Sequence, residues 1–189
     1  LFKIFSAEVA SKIVVGLIGI MCVAAMTPAE FANYAFSMSI FLMLSSLIGS
    51  VFNIVYIVNK DLDEYHNSLL IFQLILVLAL STALLVIEEL FNGLFVQTVA
   101  LVAVQCVFLF LQTAKQKKLN FRKYYIAEYT RAVSFAILVI FLFAKEYLNA
   151  HSVMSAQIIA TIIAIGTSGR SHGAKFGLNQ ILTLRKLVL

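Results

Sequence analysis

Residues 26–37, MTPAEFANYAFS, decide how the chain is read. The stretch holds the only proline in the sequence and separates two long apolar runs. Thr27, Pro28, Ala29 and Glu30 spell a capping box. The Thr27 hydroxyl accepts from an early helical N–H, and the Glu30 carboxylate reaches back to the Thr27 N–H. Pro28 takes the first helical position, where no N–H is needed. One helix therefore ends near Met26, and another starts two residues later and runs back as a tight hairpin. Both arms are too apolar for water, so the hairpin is expected to lie across a bilayer.

Composition points the same way. Of 189 residues, 62% are hydrophobic and 12% charged, with a mean hydropathy of +0.99. A soluble domain has about 45–50% apolar and about 25% charged residues. Six apolar runs approach or exceed the length that crosses hydrocarbon as helix, about 20 residues. They are 4–26, 31–58, 68–87, 94–114, 126–144 and 153–167, the last being short. Lipid satisfies no exposed backbone group, and no alternating pattern of barrel strands is present, so the spans are helices. The expected fold is all-α, a polytopic transmembrane bundle of about six spans over residues 1–168. Residues 169–189 are expected to be a cytoplasmic linker.

Charge sets the orientation. Lys3, Lys60, Lys115, Lys117, Lys118, Arg122, Lys123, Arg170, Lys175, Arg185 and Lys186 all fall on one side of the spans. The other side has Glu30, Glu88, Glu89 and Glu146, with Lys145 as its only base. By the positive-inside rule both termini are cytoplasmic and the TPAEF turn faces out. The net charge of +5 is then a topology signal that requires no nucleic-acid partner. Lys3 ahead of an apolar run imitates a signal peptide, but the run is too long and five spans follow it. Cys22 and Cys106 fall inside spans, and His66, His151 and His172 lie in three separate connections with no metal-ligand spacing. No metal site, cofactor or enzyme constellation is expected.

The polar residues inside the spans are the candidate site. Glu8 and Lys12 are one turn apart in the first span. Two readings of Lys12 stand: it faces a cavity, or it snorkels to the interface neutralised by Glu8. Span two has Ser39, Ser46, Ser50 and Asn53 with Gly49 beside them, a stripe suited to helix packing. Asn53, near the basic end, also suits a cavity lining. Span three is nearly featureless apart from Gln73, Ser81 and Thr82, and is expected to face lipid over much of its surface. Thr98, Gln105 and Gln112 recur at intervals of seven in span four, one polar face in which Gln105 either lines a cavity or glues helices. Span six offers Gln157 and Thr161 on one face, and span five carries Glu128 and Arg131 a turn apart.

Residues 112–131, QTAKQKKLNFRKYYIAEYTR, form the most basic segment, suited to anionic headgroups or to the phosphate of a lipid-linked substrate. Tyr124, Tyr125 and Tyr129 are expected to form an interfacial belt. Gly169, Gly173 and Gly177 recur every four residues but stand among bases, as in a cytoplasmic loop. Residues 179–189 begin a further apolar-leaning helix, like the approach to a seventh span, so the chain is expected to be a fragment.

The order of these features resembles the N-terminal half of bacterial polysaccharide (O-antigen repeat-unit) flippases of the multidrug/oligosaccharidyl-lipid/polysaccharide exporter superfamily. The residues that carry the resemblance are the first span, the turn MTPAEFANYAFSMSI, the second span ending in Asn53 and Lys60, and the basic approach to span five. Pro28, Glu30, Phe31 and Tyr34 match the family's turn, while Ala32 stands where glycine is usual. The resemblance covers nearly the whole chain with degenerate motifs. It implies one lobe of a MATE-like transporter in the bacterial inner membrane, with a C-terminal lobe or a second copy as partner. The implied activity is alternating-access flipping of an undecaprenyl-diphosphate-linked oligosaccharide from the cytoplasmic to the outer leaflet, for surface polysaccharide synthesis. Lys12 and Arg131 would face the phosphates, Asn53, Gln105 and Gln157 would line the cavity, and Glu8 or Glu128 would serve any proton coupling. A drug or small-cation exporter of the same superfamily would want deep acids that are lacking here. A non-transporting, self-associating membrane scaffold is the other alternative.

Overall fold

The computed structural model describes residues 2–58 and 66–167. Within them the chain is all-α: α1 (Phe2–Ala25), α2 (Pro28–Val58), α3 (His66–Leu84), α4 (Phe95–Lys117), α5 (Phe121–Ala144) and α6 (Ala150–Thr167). A 3-10 segment, Leu85–Phe91, extends α3. Five stretches are long and apolar enough to cross a membrane: α2, Asn67–Phe91, α4, α5 and α6. In α1 the described apolar part, Lys12–Ala25, is shorter than a full crossing. The chain is thus a multi-pass membrane protein. Its outer surface fits lipid, with Leu78 66% exposed and Val86 89% exposed; water would not tolerate apolar surface on this scale. Lys60 and the acidic connection after α2, and the glycines, bases and tail beyond α6, lie outside the described residues.

The turns follow local chemistry. The Thr27 N–H donates to Glu30 Oε2 at 3.1 Å and the Glu30 N–H to Thr27 Oγ1 at 3.3 Å, and Pro28 opens α2. The capping box read from the sequence is therefore present. Asn92 and Gly93 both take positive φ, 47° and 85°, and turn the chain from the 3-10 segment into α4. Helices α5 and α6 begin earlier than their apolar runs, because polar residues set their starts. Asn120 caps α5 by accepting from the Lys123 N–H. Asn149 and Ser152 exchange two bonds of 2.9 Å across the first turn of α6. Apolar runs measure the hydrocarbon crossing, and caps measure the helix.

Packing does not follow chain order. Although a tight turn joins them, α1 and α2 share only a slight contact; α1 lies along α5 and α2 along α4. The sequence suggested a paired hairpin, but neighbours choose otherwise because α1 and α2 are apolar all round and carry no single face that seeks the other. The largest contacts join α5 to α6, α2 to α4, and α4 to α6. Helix α6 is therefore central. On one side Ala150 and Met154 enter a core with Phe41, Leu44 and Ile48 of α2 and with Leu101, Val102 and Cys106 of α4. On the other, Val153, Ala156 and Ala160 pack with Ile18 and Cys22 of α1 and with Phe135 and Val139 of α5. Alanines at four positions of α6, 150, 156, 160 and 164, are buried, and small side chains let membrane helices approach on both sides. Helix α3 lies at the periphery and buries the smallest share of its span.

Candidate functional site

The polar face of α4 is built as its seven-residue spacing implies, and all three members are buried. Their fates differ. Thr98 Oγ1 donates to its own helix at the Leu94 carbonyl, 2.8 Å away. Gln112 Nε2 donates to the Tyr124 carbonyl at 3.2 Å, and its Oε1 accepts from Lys115 Nζ at 3.2 Å. Gln112 is thus the glue between the end of α4 and the start of α5. Gln105 Oε1 is buried and has no hydrogen-bond partner among the described residues. An orphaned buried acceptor costs about 1–3 kcal/mol.

A second orphan lies on α6, Gln157. Helices α4 and α6 run in parallel and nearly in register. Gly93 and Gln97 meet the His151 ring at one end, and Phe108 shares a cluster with Ala164 and with Ala127 of α5 towards the other. Gln105 lies one turn from Phe108, Thr161 one turn from Ala164 and Arg131 one turn from Ala127, all away from the basic end. A turn rises about 5.4 Å, so these three side chains begin in one layer. Gln157 starts about one turn further on, and its Oε1 is also buried and unpartnered. Thr161 is fully buried, its hydroxyl donating to the Gln157 carbonyl at 2.8 Å.

Arg131 supplies the charge of this layer. Its Nε donates to Glu128 Oε2 at 3.0 Å and its Nη2 to Glu128 Oε1 at 3.3 Å. The guanidinium carbon stands 5.1 Å from the centre of the Phe108 ring. The side chains are 21% and 14% exposed, so the pair is mostly withdrawn from solvent. Glu128 is therefore held as the partner of Arg131. Among the described residues no three His, Cys, Asp or Glu side chains converge as metal ligands would. What the layer offers is acceptors for hydroxyl or amide donors, and one guanidinium that a stronger anion than Glu128 can claim.

The remaining candidates lie apart from it. Asn53 is half-buried towards the basic end of α2, with Oδ1 unpartnered and Nδ2 beside Gly49. A Cβ on Gly49 would come within 3.0 Å of Leu109 Cδ1, so α2 and α4 approach closely there. Lys12 is exposed on α1, and the Glu8 side chain lies outside the described ones. Ser39 is exposed and donates to the Ala35 carbonyl of its own helix, so it glues nothing. Among the described residues the buried serines of α2 are Ser37 and Ser45, on the face that carries Phe41, Leu44 and Ile48; the Ser50 side chain lies outside the described ones. Gln73 was legible only as a lone polar residue. It is fully buried, and neither of its amide atoms has a partner.

The two ends of the bundle differ in charge and in pairing. At the capping-box end, Asn92 Nδ2 donates to Asn33 Oδ1 at 2.8 Å, and Gln97 Nε2 lies 3.0 Å from His151 Nδ1. These bonds join α2 to the α4 turn, and α4 to α6. At the basic end, Lys117 Nζ lies 4.3 Å from the centre of the Tyr56 ring. Tyr124 is buried and stacks edge-on with Tyr125 at 5.9 Å, so only Tyr129 of the three tyrosines is exposed as an interfacial belt requires. No family model, curated protein or solved structure matches the chain.

Proposed function

We propose that the chain is one lobe of a MATE-like transporter that flips an undecaprenyl-diphosphate-linked oligosaccharide across the bacterial inner membrane. The observation that carries the reading is the layer of Gln105 and Arg131 with Gln157 about one turn beyond it, polar groups inside a mostly apolar bundle. Two amide oxygens there await donors that the described residues do not supply. Sugars bring hydroxyl donors, and a diphosphate is an anion able to compete with Glu128 for the guanidinium. Neither group crosses hydrocarbon unaided. The resemblance of the TPAEF turn and of the basic approach to α5 to the flippase family supports the same substrate class.

In this mechanism α1 and α2, tied at one end and packed on different neighbours, separate at the basic end to admit the headgroup from the cytoplasmic leaflet. A second lobe, in the same polypeptide or in another copy, closes the other wall and rocks against this one. Asn53 and Lys12, nearer the basic end, meet the substrate before the Arg131 layer does. Both termini then face the cytoplasm.

The test is reconstitution in proteoliposomes with a fluorescent undecaprenyl-diphosphate oligosaccharide, read as transfer between leaflets. Transfer by the wild type, and at least a tenfold loss with Arg131→Ala at unchanged insertion, is the expected result. Equal transfer by wild type and R131A removes the phosphate role. Absence of transfer by the wild type, with or without added second lobe, removes the flippase reading.

A further inference from the structure

The structure assigns an anionic glycerophospholipid to a site on the outer face of the α4–α5 elbow, separate from the Arg131 layer. The elbow brings together five bases, Lys115, Lys117, Lys118, Arg122 and Lys123, and their side chains are not equivalent. Lys115 donates to Gln112 Oε1, and Lys117 lies over the Tyr56 ring. These two hold the elbow against the bundle. Lys118, Arg122 and Lys123 are exposed, and their side chains have no hydrogen-bond or ion-pair partner among the described residues.

The free bases sit at the head of an apolar track. Ile126, Tyr129, Val133, Ile137 and Ile140 are each more than two-fifths exposed and follow Arg122 at helical spacing down one face of α5. Successive steps of three or four residues keep them on that face. Leu119, 73% exposed and held at φ 53°, adds an apolar side chain beside Lys118 at the turn itself. Phosphate at Lys118 and Arg122 with an acyl chain along Val133 and Ile137 satisfies both halves of this surface at once. A free phosphate would leave the track bare, and a zwitterionic lipid would place a choline beside the bases. Charge and apolar track together select a diacyl lipid of net negative charge, such as phosphatidylglycerol.

This inference does not depend on what the chain transports. It is tested with the purified 189-residue chain in neutral detergent, by native mass spectrometry with equimolar dioleoyl phosphatidylglycerol and dioleoyl phosphatidylcholine. Phosphatidylglycerol is expected to be retained preferentially. Each base near an anionic headgroup is worth about fivefold in affinity, so Lys118→Gln with Arg122→Gln is expected to lower that preference about twenty-fivefold. Lys115→Gln is expected to keep the preference while lowering thermal stability, because its partner is Gln112. Both double-variant positions are exposed, and an unchanged melting temperature verifies that this variant is folded. Equal retention of the two lipids by the wild type overturns the site, as does an unchanged preference in K118Q/R122Q. Displacement of phosphatidylglycerol by equimolar inorganic phosphate also overturns it, since the track would then contribute nothing.

Discussion

The polar groups of the capping-box end are mostly exposed and paired, though Gln97 Oε1 is buried without a partner among the described residues; inside the bundle near Arg131, buried acceptors stand empty. At the capping-box end, Thr27 with Glu30, Asn33 with Asn92, Gln97 with His151 and Asn149 with Ser152 are joined as partners. In the layer Gln105, and one turn beyond it Gln157, keep acceptors with none. The paired end is where water competes and a bond contributes little; the unpaired layer is where an empty acceptor costs most. Stability alone would arrange the molecule the other way round. That cost fits the substrate role proposed for Gln105 and Gln157, while Gln73 and Gln97 keep unpartnered buried atoms outside it.

The comparison can be broken first by topology. With Glu30→Cys and Lys118→Cys in separate inside-out and right-side-out vesicles, a membrane-impermeant maleimide is expected to label each variant from one side only. Glu30→Cys reacts from outside and Lys118→Cys from inside, an all-or-none difference. Native Cys22 and Cys106 are buried and give little background. Labelling of both positions from one side would put the two ends together and end the contrast.

Arg131→Ala comes next. It strands the Glu128 carboxylate in a mostly buried setting, and a loss of about 3 kcal/mol is expected on breaking such a pair from one side. Thermal unfolding in detergent reads it, and adding Glu128→Leu is expected to restore most of the loss. Failure of that rescue would mean Arg131 acts through Phe108 instead.

Gln105→Leu sharpens the contrast in sign. Replacing an orphaned amide by an isosteric apolar group is expected to stabilise by about 1–2 kcal/mol, whereas Asn92→Ala at the paired end destabilises. A destabilised Gln105→Leu would show that the amide already has a partner. The smallest effect is at the hairpin: Thr27→Ala removes the capping box acceptor and is expected to cost about 1 kcal/mol in the same assay.

Much of the local structure was legible in the residues. The Thr27–Glu30 box, the Asn92–Gly93 turn and five of the six expected spans follow from rules that act over a few positions. So does the Glu128–Arg131 pair, set by helical spacing. The caps at Asn120 and Asn149 also carry a sequence signal, an asparagine just ahead of a helix, which lies outside the apolar runs. Neighbour choice was not legible. In membrane helices that are apolar on every side, no stripe points to a partner, and small shape differences decide. That is why α1 and α2 were expected to pair, and why Ser39 was placed on a packing face it does not occupy. For the same reason spacing put Gln105 and Gln112 on one face, yet only packing separates a bond to the Tyr124 carbonyl from an acceptor left empty.

The central position of α6 has a consequence for biogenesis. Ribosomes deliver helices in order, and the sixth is the one that both half-cores share. Until it leaves the translocon, α1 with α5 and α2 with α4 are two loosely associated groups. Each exposes to lipid, or to quality-control proteases, the grooves that the alanines of α6 will fill. Premature termination before residue 150 would therefore leave two groups held together mainly through the α4–α5 contact around Gln112 and Phe108.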